Sequence, residues 1–227
     1  MKENKLFRAA LVHSSPVFVG YVLIGFGFGI VMQDAGYGLG WAMAMSLFIY
    51  AGSLQYVGVS LIAGPASLVT TALTSLMINA RHLFYSISMI GRYEKAGRNK
   101  PYLVFSLTDE TYALLSGPLP CAEEDRHSFC LLVSLFNQCY WLLGTALGSL
   151  AASALPFDTR GIDFSMTALF VASFTSQLRQ KENRVSGLLG LSVTLICLLI
   201  FGSDLFLIPA MGLILGLLLL LPQKEGC

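Results

Sequence analysis

The stretch SFCLLVSLFNQCYWLLGTALGSLAASAL, residues 128–155, contains no charged side chain. About 20 consecutive apolar residues are enough for a helix to cross the hydrocarbon core of a bilayer, and this run exceeds that length. It also contains two neutral amides, Asn137 and Gln138. In lipid, such groups are expected to hydrogen-bond to neighbouring helices. The stretch therefore predicts a membrane-spanning helix packed inside a bundle of others.

The composition of the whole chain agrees with that prediction. Of its 227 residues, 55% are hydrophobic and only 12% are charged, against about 25% charged residues in a typical soluble domain. The formal net charge of +1 gives no basic surface for nucleic acid. The five cysteines form no Cys-x-x-Cys pair, and their odd number argues against a disulfide framework. We therefore expect neither a disulfide scaffold nor a metal or other cofactor.

Eight segments of the chain come into consideration as membrane spans. Six of them are interpreted as spans directly, whereas 67–91 and 101–117 carry charged residues and stay ambiguous. The chain is therefore predicted to be an all-α polytopic membrane protein with about seven spans (six to eight) in a single transmembrane domain, 1–227. The eight segments are 17–33, 39–62, 67–91, 101–117, 128–155, 162–178, 185–202 and 205–221.

The charges between the spans bear on orientation. Residues 1–15 alternate Lys and Arg with Leu, Phe and Val, which predicts an amphipathic helix on the membrane surface. By the positive-inside rule, these cations place the N-terminus in the cytoplasm. A plain count of eight spans then leaves the basic loop 92–100 outside, against the same rule. The conflict marks 67–117 as the irregular part of the fold, and we expect a broken or re-entrant helix near 67–91.

Short sequence similarities and glycine spacings add two further patterns. GLGWAMAMSLF (38–48) and GIDFSMTALFV (161–171) share the positions of a Gly, an aromatic residue and a Met. Transporters often contain internal repeats, although two apolar segments can also match by chance. Glycines four residues apart let helices approach closely, either within the chain or against a second subunit. They occur at GFGFG (25–29), GTALG (144–148) and GLILG (212–216).

The stretch MINARHLFYS (77–86) places ionisable groups inside an apolar segment. Charge at membrane depth is costly and usually faces a cavity or a partner. Arg81 can bind a carboxylate through two parallel hydrogen bonds and stays charged when buried. Asn79 and His82 share a helical face, and Tyr85 lies one turn beyond Arg81. The stretch predicts a receptor for an anionic group; the alternative is that Arg81 pairs with an acid only to fix the fold.

The acids that could complete such a site lie in SLTDETYAL (106–114). A carboxylate at Asp109 or Glu110 could bind an ammonium group or exchange a proton. His82, with an ordinary pKa of about 6.5, could also carry a proton or simply satisfy a buried hydrogen bond. Equally, Thr108 could cap a helix whose first turn holds both acids.

Two further residues enter the candidate set. Gln55 is a neutral polar group inside an apolar run, so it could bind substrate or only hydrogen-bond between helices.

Enzyme motifs are absent from the sequence: there is no HExxH, no Gly-rich phosphate loop and no GxSxG. The alternative of a different class is an intramembrane protease that uses Ser53 and His82.

Four motifs together resemble a known family. MSLFIYAGSLQ (45–55), NARHLFYS (79–86), TDETYAL (108–114) and DFSMTALFV (163–171) are similar, in this order, to those of the AzlC-type large subunits of bacterial branched-chain amino acid exporters. The resemblance extends from the second span to about residue 180. It implies a multi-pass transporter of the bacterial inner membrane that exports leucine, isoleucine, valine and methionine. It also implies a partner, a small AzlD-type membrane subunit of about four spans.

The resemblance gives the candidate site a substrate. A zwitterionic amino acid needs donors for its carboxylate, which Arg81 with Asn79 and His82 could supply, and an acceptor for its ammonium, either Asp109 or Glu110. An apolar pocket discriminates one methylene by only about 1–3 kcal/mol, so overlapping specificity for aliphatic amino acids is expected. Since the chain has no nucleotide-binding motif, transport is expected to be secondary and driven by protons. A permease for another small amphipathic solute, and a scaffold active only through its partner, remain alternatives.

Overall fold

The computed structural model describes residues 2–154, 164–179 and 184–220 of the chain. Within these ranges every regular element is helical, which confirms the predicted all-α class. Two short 3₁₀ turns accompany the α-helices, at Gly97–Asn99 and Glu123–Asp125. The α-helices are α1 (Lys2–Asp34), α2 (Leu39–Phe48), α3 (Gly52–Ala63), α4 (Leu68–Tyr93), α5 (Lys100–Phe105), α6 (Asp109–Ser116), α7 (Arg126–Ala154), α8 (Phe164–Arg179), α9 (Arg184–Leu205) and α10 (Leu207–Leu220).

Three helical stretches in the described ranges are long and apolar enough to cross a membrane. They are Asn4–Asp34, Glu123–Ala154 and Arg184–Gly202. α2 and α3 are shorter apolar helices of 10 and 12 residues. These features confirm a helical membrane protein, while the number of about seven spans stays a prediction.

The first compact unit of the chain, Met1–Ser165, is built around α1 and α7. A side chain at Gly148 would collide with the α1 backbone at Phe26, and one at Gly144 with the backbone at Val22. Because these contacts advance along both helices together, α1 and α7 run in the same direction. The glycine motifs 25–29 and 144–148 thus serve close packing within the chain.

The N-terminal residues are part of α1. Residues 2–15 are helical and continue into the first predicted span without interruption. The predicted surface helix of residues 1–15 is therefore not a separate element. Ala10 and Ser14 are fully buried, and His13 Nε2 lies 2.9 Å from the carbonyl oxygen of Leu114 in α6. One face of this half of α1 is therefore covered by protein.

Helix α4 corrects the position of the predicted break. We expected a broken or re-entrant helix near 67–91, but α4 is continuous over its 26 residues, a length of about 39 Å at 1.5 Å per residue. The Ser67 hydroxyl caps its start by accepting a hydrogen bond from the Thr70 amide at 3.1 Å. No Gly or Pro lies between residues 68 and 90 to interrupt it. The breaks occur in the neighbouring segments.

The second compact unit is Met166–Cys227, and the single domain 1–227 stays a prediction. Its described part contains most of α8, together with α9 and α10. Gly202 has φ +72°, a left-handed conformation that Gly adopts at little cost. It interrupts α9 at the boundary that the sequence predicted between 185–202 and 205–221. Of the second similarity segment, 161–171, the first residues lie outside the described ranges.

Candidate functional site

Two of the predicted spans are each divided into two short helices. Segment 39–62 forms α2 and α3, separated at residues 49–51, where Tyr50 has φ +43°. A non-glycine residue in this conformation costs about 1–3 kcal/mol, and such residues cluster at functional sites. Segment 101–117 forms α5 and α6, separated at residues 106–108. Discontinuous helices of this kind form the substrate and ion sites of many secondary transporters.

Arg81 joins the starts of α3 and α6. From the middle of α4, its Nη2 donates a hydrogen bond to Ser53 Oγ at 2.6 Å. Its Nη1 lies 2.7 Å from Asp109 Oδ2. Ser53 is the second residue of α3 and Asp109 is the first residue of α6. One guanidinium group therefore bridges the N-terminal ends of two half-helices, where the helix dipole favours negative charge.

The Arg81–Asp109 pair is only partly covered. The two side chains keep 30% and 32% of their surface exposed. A fully buried ion pair is inaccessible to a ligand, and a fully exposed one is screened by water. This pair lies between those limits, so both charged groups keep part of their surface free of other protein atoms.

Helix α6 is fastened to α4 along one face. The rings of Tyr85 and Tyr112 stack with centroids 4.7 Å apart, one turn beyond the Arg81–Asp109 pair. At the other end of α6, Arg92 donates to the carbonyl oxygens of Leu115 and Gly117, the latter at 2.9 Å. Arg92 thus satisfies carbonyl groups that a helix C-terminus leaves without intrahelical partners.

Replacing Arg92 with alanine is expected to loosen α6 from α4. The loss of these charge-assisted bonds should lower the free energy of unfolding by about 1.5–3 kcal/mol. Thermal unfolding of the detergent-purified protein measures this, together with faster amide exchange in residues 109–116. Arg126→Ala is the control, since its pair with the exposed Glu123 contributes about 0–1 kcal/mol. Equal stability of the two variants would contradict the role given to Arg92.

Glu110 is bonded to α1 instead of Arg81. The Tyr21 hydroxyl of α1 donates to Glu110 Oε2 at 2.8 Å and lies 2.5 Å from Thr108 Oγ1. Thr108 also caps α6, as the sequence allowed, by accepting from the Thr111 amide at 3.2 Å. The two adjacent acids of α6 therefore serve different neighbours, Asp109 on α4 and Glu110 on α1.

The amide side chains connect helices. Gln55 is fully buried, and its Nε2 donates to Ser46 Oγ at 3.0 Å. Asn137 Nδ2 donates to Thr111 Oγ1 at 3.0 Å, and Gln138 Nε2 donates to the Leu47 carbonyl oxygen at 3.2 Å. This is the inter-helix bonding expected of neutral polar groups in lipid.

Several buried oxygen atoms have no hydrogen-bond partner among the described residues. Three of them belong to segments near the candidate site: Gln55 Oε1, Asn79 Oδ1 and Ser106 Oγ. Since buried polar atoms are nearly always satisfied, each requires an explanation such as a ligand or water. Ser106 lies in the α5–α6 break, and Gln55 lies in the first turn of α3. Two of the three thus belong to the segments around the helix breaks.

The structure assembles part of the candidate set. Arg81, Asp109 and Tyr85 lie together on the α4–α6 face. His82 packs edge-on against Tyr85, with ring centroids 5.9 Å apart, while its Nδ1 lies 3.3 Å from the Asn79 carbonyl oxygen of its own helix. Within the described residues, Asn79 makes no side-chain hydrogen bond to this group.

Ser53 has a different role from the one considered in the sequence. No hydrogen bond joins Ser53 to His82 in the described part of the chain. Ser53 instead accepts from Arg81, so it lacks the neighbouring general base that a serine nucleophile needs. The protease alternative therefore has no geometric support.

Sequence reasoning missed Tyr21 and Arg92. Tyr21 lies in an apolar run where a tyrosine is unremarkable, and no spacing links it to Glu110. Arg92 is the first residue of the basic loop 92–100, and a cation there is interpreted as a signal for the orientation of the chain in the membrane. Both roles depend on contacts between helices distant in sequence, for which a single sequence has no signal.

The fold and the site define a class of protein: a helical membrane transport protein whose charged centre lies between discontinuous helices. Residues 16–155 match the family model described as AzlC protein, so the matched region contains both breaks and the Arg81–Asp109 pair. The chain belongs to the AzlC family.

Individual relatives agree with this assignment. A Bacillus subtilis (strain 168) protein named branched-chain amino acid transport protein AzlC is 37% identical over 95% of this chain and 85% of its own. A Helicobacter pylori (strain J99) protein, named as an uncharacterized membrane protein, is 38% identical over 98% of both chains. Inner membrane protein YgaZ of Escherichia coli (strain K12) is 27% identical over 78% of this chain and 75% of its own. No solved structure matches the chain. It is thus a member of a transport family, not an enzyme.

Proposed function

We propose that this chain is the large subunit of a secondary transporter that exports leucine, isoleucine, valine and methionine across the bacterial inner membrane in exchange for protons. A single observation carries the proposal: Arg81 bridges Ser53 and Asp109 where two helix breaks meet. The name of the Bacillus subtilis relative supports the substrate class. The small AzlD-type subunit is proposed as the partner because of the motifs shared with exporter large subunits.

An amino acid is suited to this pair because it carries both charges. Its carboxylate replaces the Asp109 carboxylate on the Arg81 guanidinium, and its ammonium group binds Asp109. Each half-covered charge then exchanges one partner for another, so neither is left uncompensated, which would be destabilising. The Ser53 hydroxyl and the N-terminal end of α3 lie next to the carboxylate. Ala51 at the N-cap of α3 has no side-chain acceptor that competes for that end.

The test is amino acid efflux from cells loaded with dipeptides. Cells that express this chain together with the small subunit are expected to release leucine, isoleucine, valine and methionine faster than cells that lack the chain. Lysine and glutamate release should be unchanged, because a net charge does not match the balanced pair. Omitting the small subunit should abolish the effect. Accelerated release of a different solute class alone would instead favour a permease for another small amphipathic molecule.

A further inference from the structure

Glu110 is a second carboxylate within the helix bundle, and it takes no part in the Arg81–Asp109 ion pair. In the described part of the chain no cation lies within ion-pair distance of it, and its recorded side-chain hydrogen bond comes from Tyr21. The side chain of Glu110 is half-buried, and a carboxylate withdrawn from water without a counter-charge is costly when ionised and readily takes up a proton.

The groups around Glu110 come from every element that surrounds it. Tyr21 of α1 bonds to it, and Tyr50 of the α2–α3 break interacts with it electrostatically. Arg81 and Tyr85 act on it from α4, and Asp109 precedes it in α6. Arg81 is the cation among these groups, and it is engaged with Asp109 at 2.7 Å. The charge balance at Glu110 thus depends on whether that pair is intact.

A chain of hydroxyl groups leads from Glu110 to α7. Tyr21 contacts Glu110 and Thr108, and Thr108 Oγ1 lies 3.0 Å from Thr111 Oγ1. Thr111 in turn accepts from Asn137 Nδ2. Tyr21, Thr111 and Asn137 are almost fully buried. This series of hydrogen bonds connects α1, α6 and α7. Each hydroxyl group in it can both donate and accept a hydrogen bond, whereas the amide nitrogen of Asn137 at its end only donates.

The direction of the hydrogen bonds among these hydroxyl groups depends on whether Glu110 carries a proton. When Thr108 donates to Thr111, the single Tyr21 proton can serve either Thr108 or Glu110 but not both. A proton on Glu110 resolves this, because the carboxyl group donates to Tyr21 and Tyr21 donates to Thr108. When Glu110 is ionised, Tyr21 donates to it, Thr108 turns its proton to Tyr21, and Thr111 donates to Thr108. Protonation therefore reverses every hydroxyl bond along the chain.

We propose that Glu110 binds the proton that drives transport, at a site separate from the substrate pair, and that the Tyr21–Thr108–Thr111 chain transmits its protonation to α1 and α7. The inference rests on the proposed function and names the coupling residue within it. A proton from the aqueous phase binds a Glu110 carboxylate oxygen, and the same proton leaves on the other side. Because Asp109 directly precedes Glu110, substrate binding at Arg81–Asp109 and proton binding at Glu110 act on the same first turn of α6.

The experiment uses inside-out membrane vesicles that contain this chain and its small subunit. Two activities are measured: leucine accumulation driven by an imposed pH gradient, and exchange of labelled for unlabelled leucine without a gradient. The wild-type protein is expected to show both. Glu110→Gln, which keeps the shape but cannot release a proton, should lose gradient-driven accumulation while exchange persists. Tyr21→Phe should shift the pH profile of accumulation and leave exchange in place. Glu123→Gln, in an exposed turn, is the matched control.

The outcomes separate the inference from the function on which it rests. If Glu110→Gln accumulates leucine as the wild type does, the proton binds elsewhere. If it loses exchange to the same extent as accumulation, Glu110 belongs to substrate binding, and the inference is also wrong. If the wild-type protein neither accumulates nor exchanges leucine, the proposed function fails and the inference fails with it.

Discussion

Transport should be lost when Arg81 is replaced by alanine. The substitution removes the partner of Asp109 and the donor to Ser53, and so leaves an uncompensated carboxylate in the bundle. Truncating one member of a buried charge pair costs about 2–5 kcal/mol, and the partial exposure of this pair places its cost at the low end, so the transport rate should fall on the order of 100-fold. Leucine efflux from dipeptide-loaded cells measures this, with the amount of membrane-inserted protein determined in parallel.

Arg81→Lys separates charge from geometry. Lysine keeps the positive charge but cannot bond Ser53 and a carboxylate through a planar fork, so its efflux should stay close to that of Arg81→Ala. Arg98→Ala, an exposed arginine in the loop after α4, is the control and should transport normally. Normal efflux by Arg81→Ala at a normal protein level would remove Arg81 from the substrate site.

Replacing Gly29 with alanine should prevent stable packing of α1 on α7. The added methyl group would meet backbone atoms of Thr145 and Ser149, the latter at 2.5 Å, and backbone cannot yield as a side chain can. Overpacking typically costs about 1–3 kcal/mol, and it is more damaging where helices associate through close backbone contact. We expect a lower thermal midpoint in detergent and a reduced yield of monodisperse protein.

The control for this change lies on the same helix. Nothing lies within 4 Å of a methyl group placed at Gly20, so Gly20→Ala should behave as the wild-type protein in the same measurements. Gly148→Ala adds a methyl group on the α7 side of the same contact, against the backbone of Phe26, and should reproduce the effect of Gly29→Ala. Equal stability of Gly20→Ala and Gly29→Ala would show that α1 and α7 do not depend on close glycine contact.

The fold class follows from the sequence because apolar length is a local property. The uncharged run 128–155 corresponds closely to α7 (Arg126–Ala154), and the boundary near Gly202 is marked by glycine itself. The helix breaks are different. Residues 49–51 contain neither Gly nor Pro, so contacts with other helices determine where the backbone turns there. At the second break, residues 106–108, the only local signal is Thr108, whose hydroxyl caps α6. The polar centre of 67–91 suggested a break there. The helix is instead intact, and Arg81 contacts its partners Ser53 and Asp109 from the side of this helix.

The candidate site shows the same division. Arg81 is detectable because a charge inside an apolar segment is costly, whatever its neighbours. Its pairing with Asp109 was one of the alternatives that the sequence left open, and only the packing of α6 on α4 decides between Asp109 and Glu110. The hydrogen bond from Arg81 to Ser53 depends on the backbone turn at Tyr50, which no local sequence pattern predicts. A single sequence thus indicates which residues are unusual, and tertiary contacts decide which of them meet.

Recognition of both charges of a zwitterion is the central claim, and a competition measurement tests it directly. Labelled leucine is bound to the purified protein and displaced by leucine, by leucinol, which lacks the carboxylate, or by 4-methylpentanoate, which lacks the ammonium group. The wild-type protein should strongly prefer leucine, since a site built for polar groups rejects analogues that lack them. Arg81→Gln should lose discrimination against leucinol alone, and Asp109→Asn against 4-methylpentanoate alone. Equal displacement by all three compounds in the wild-type protein would contradict the claim, as would an equal loss of affinity for all three in both variants.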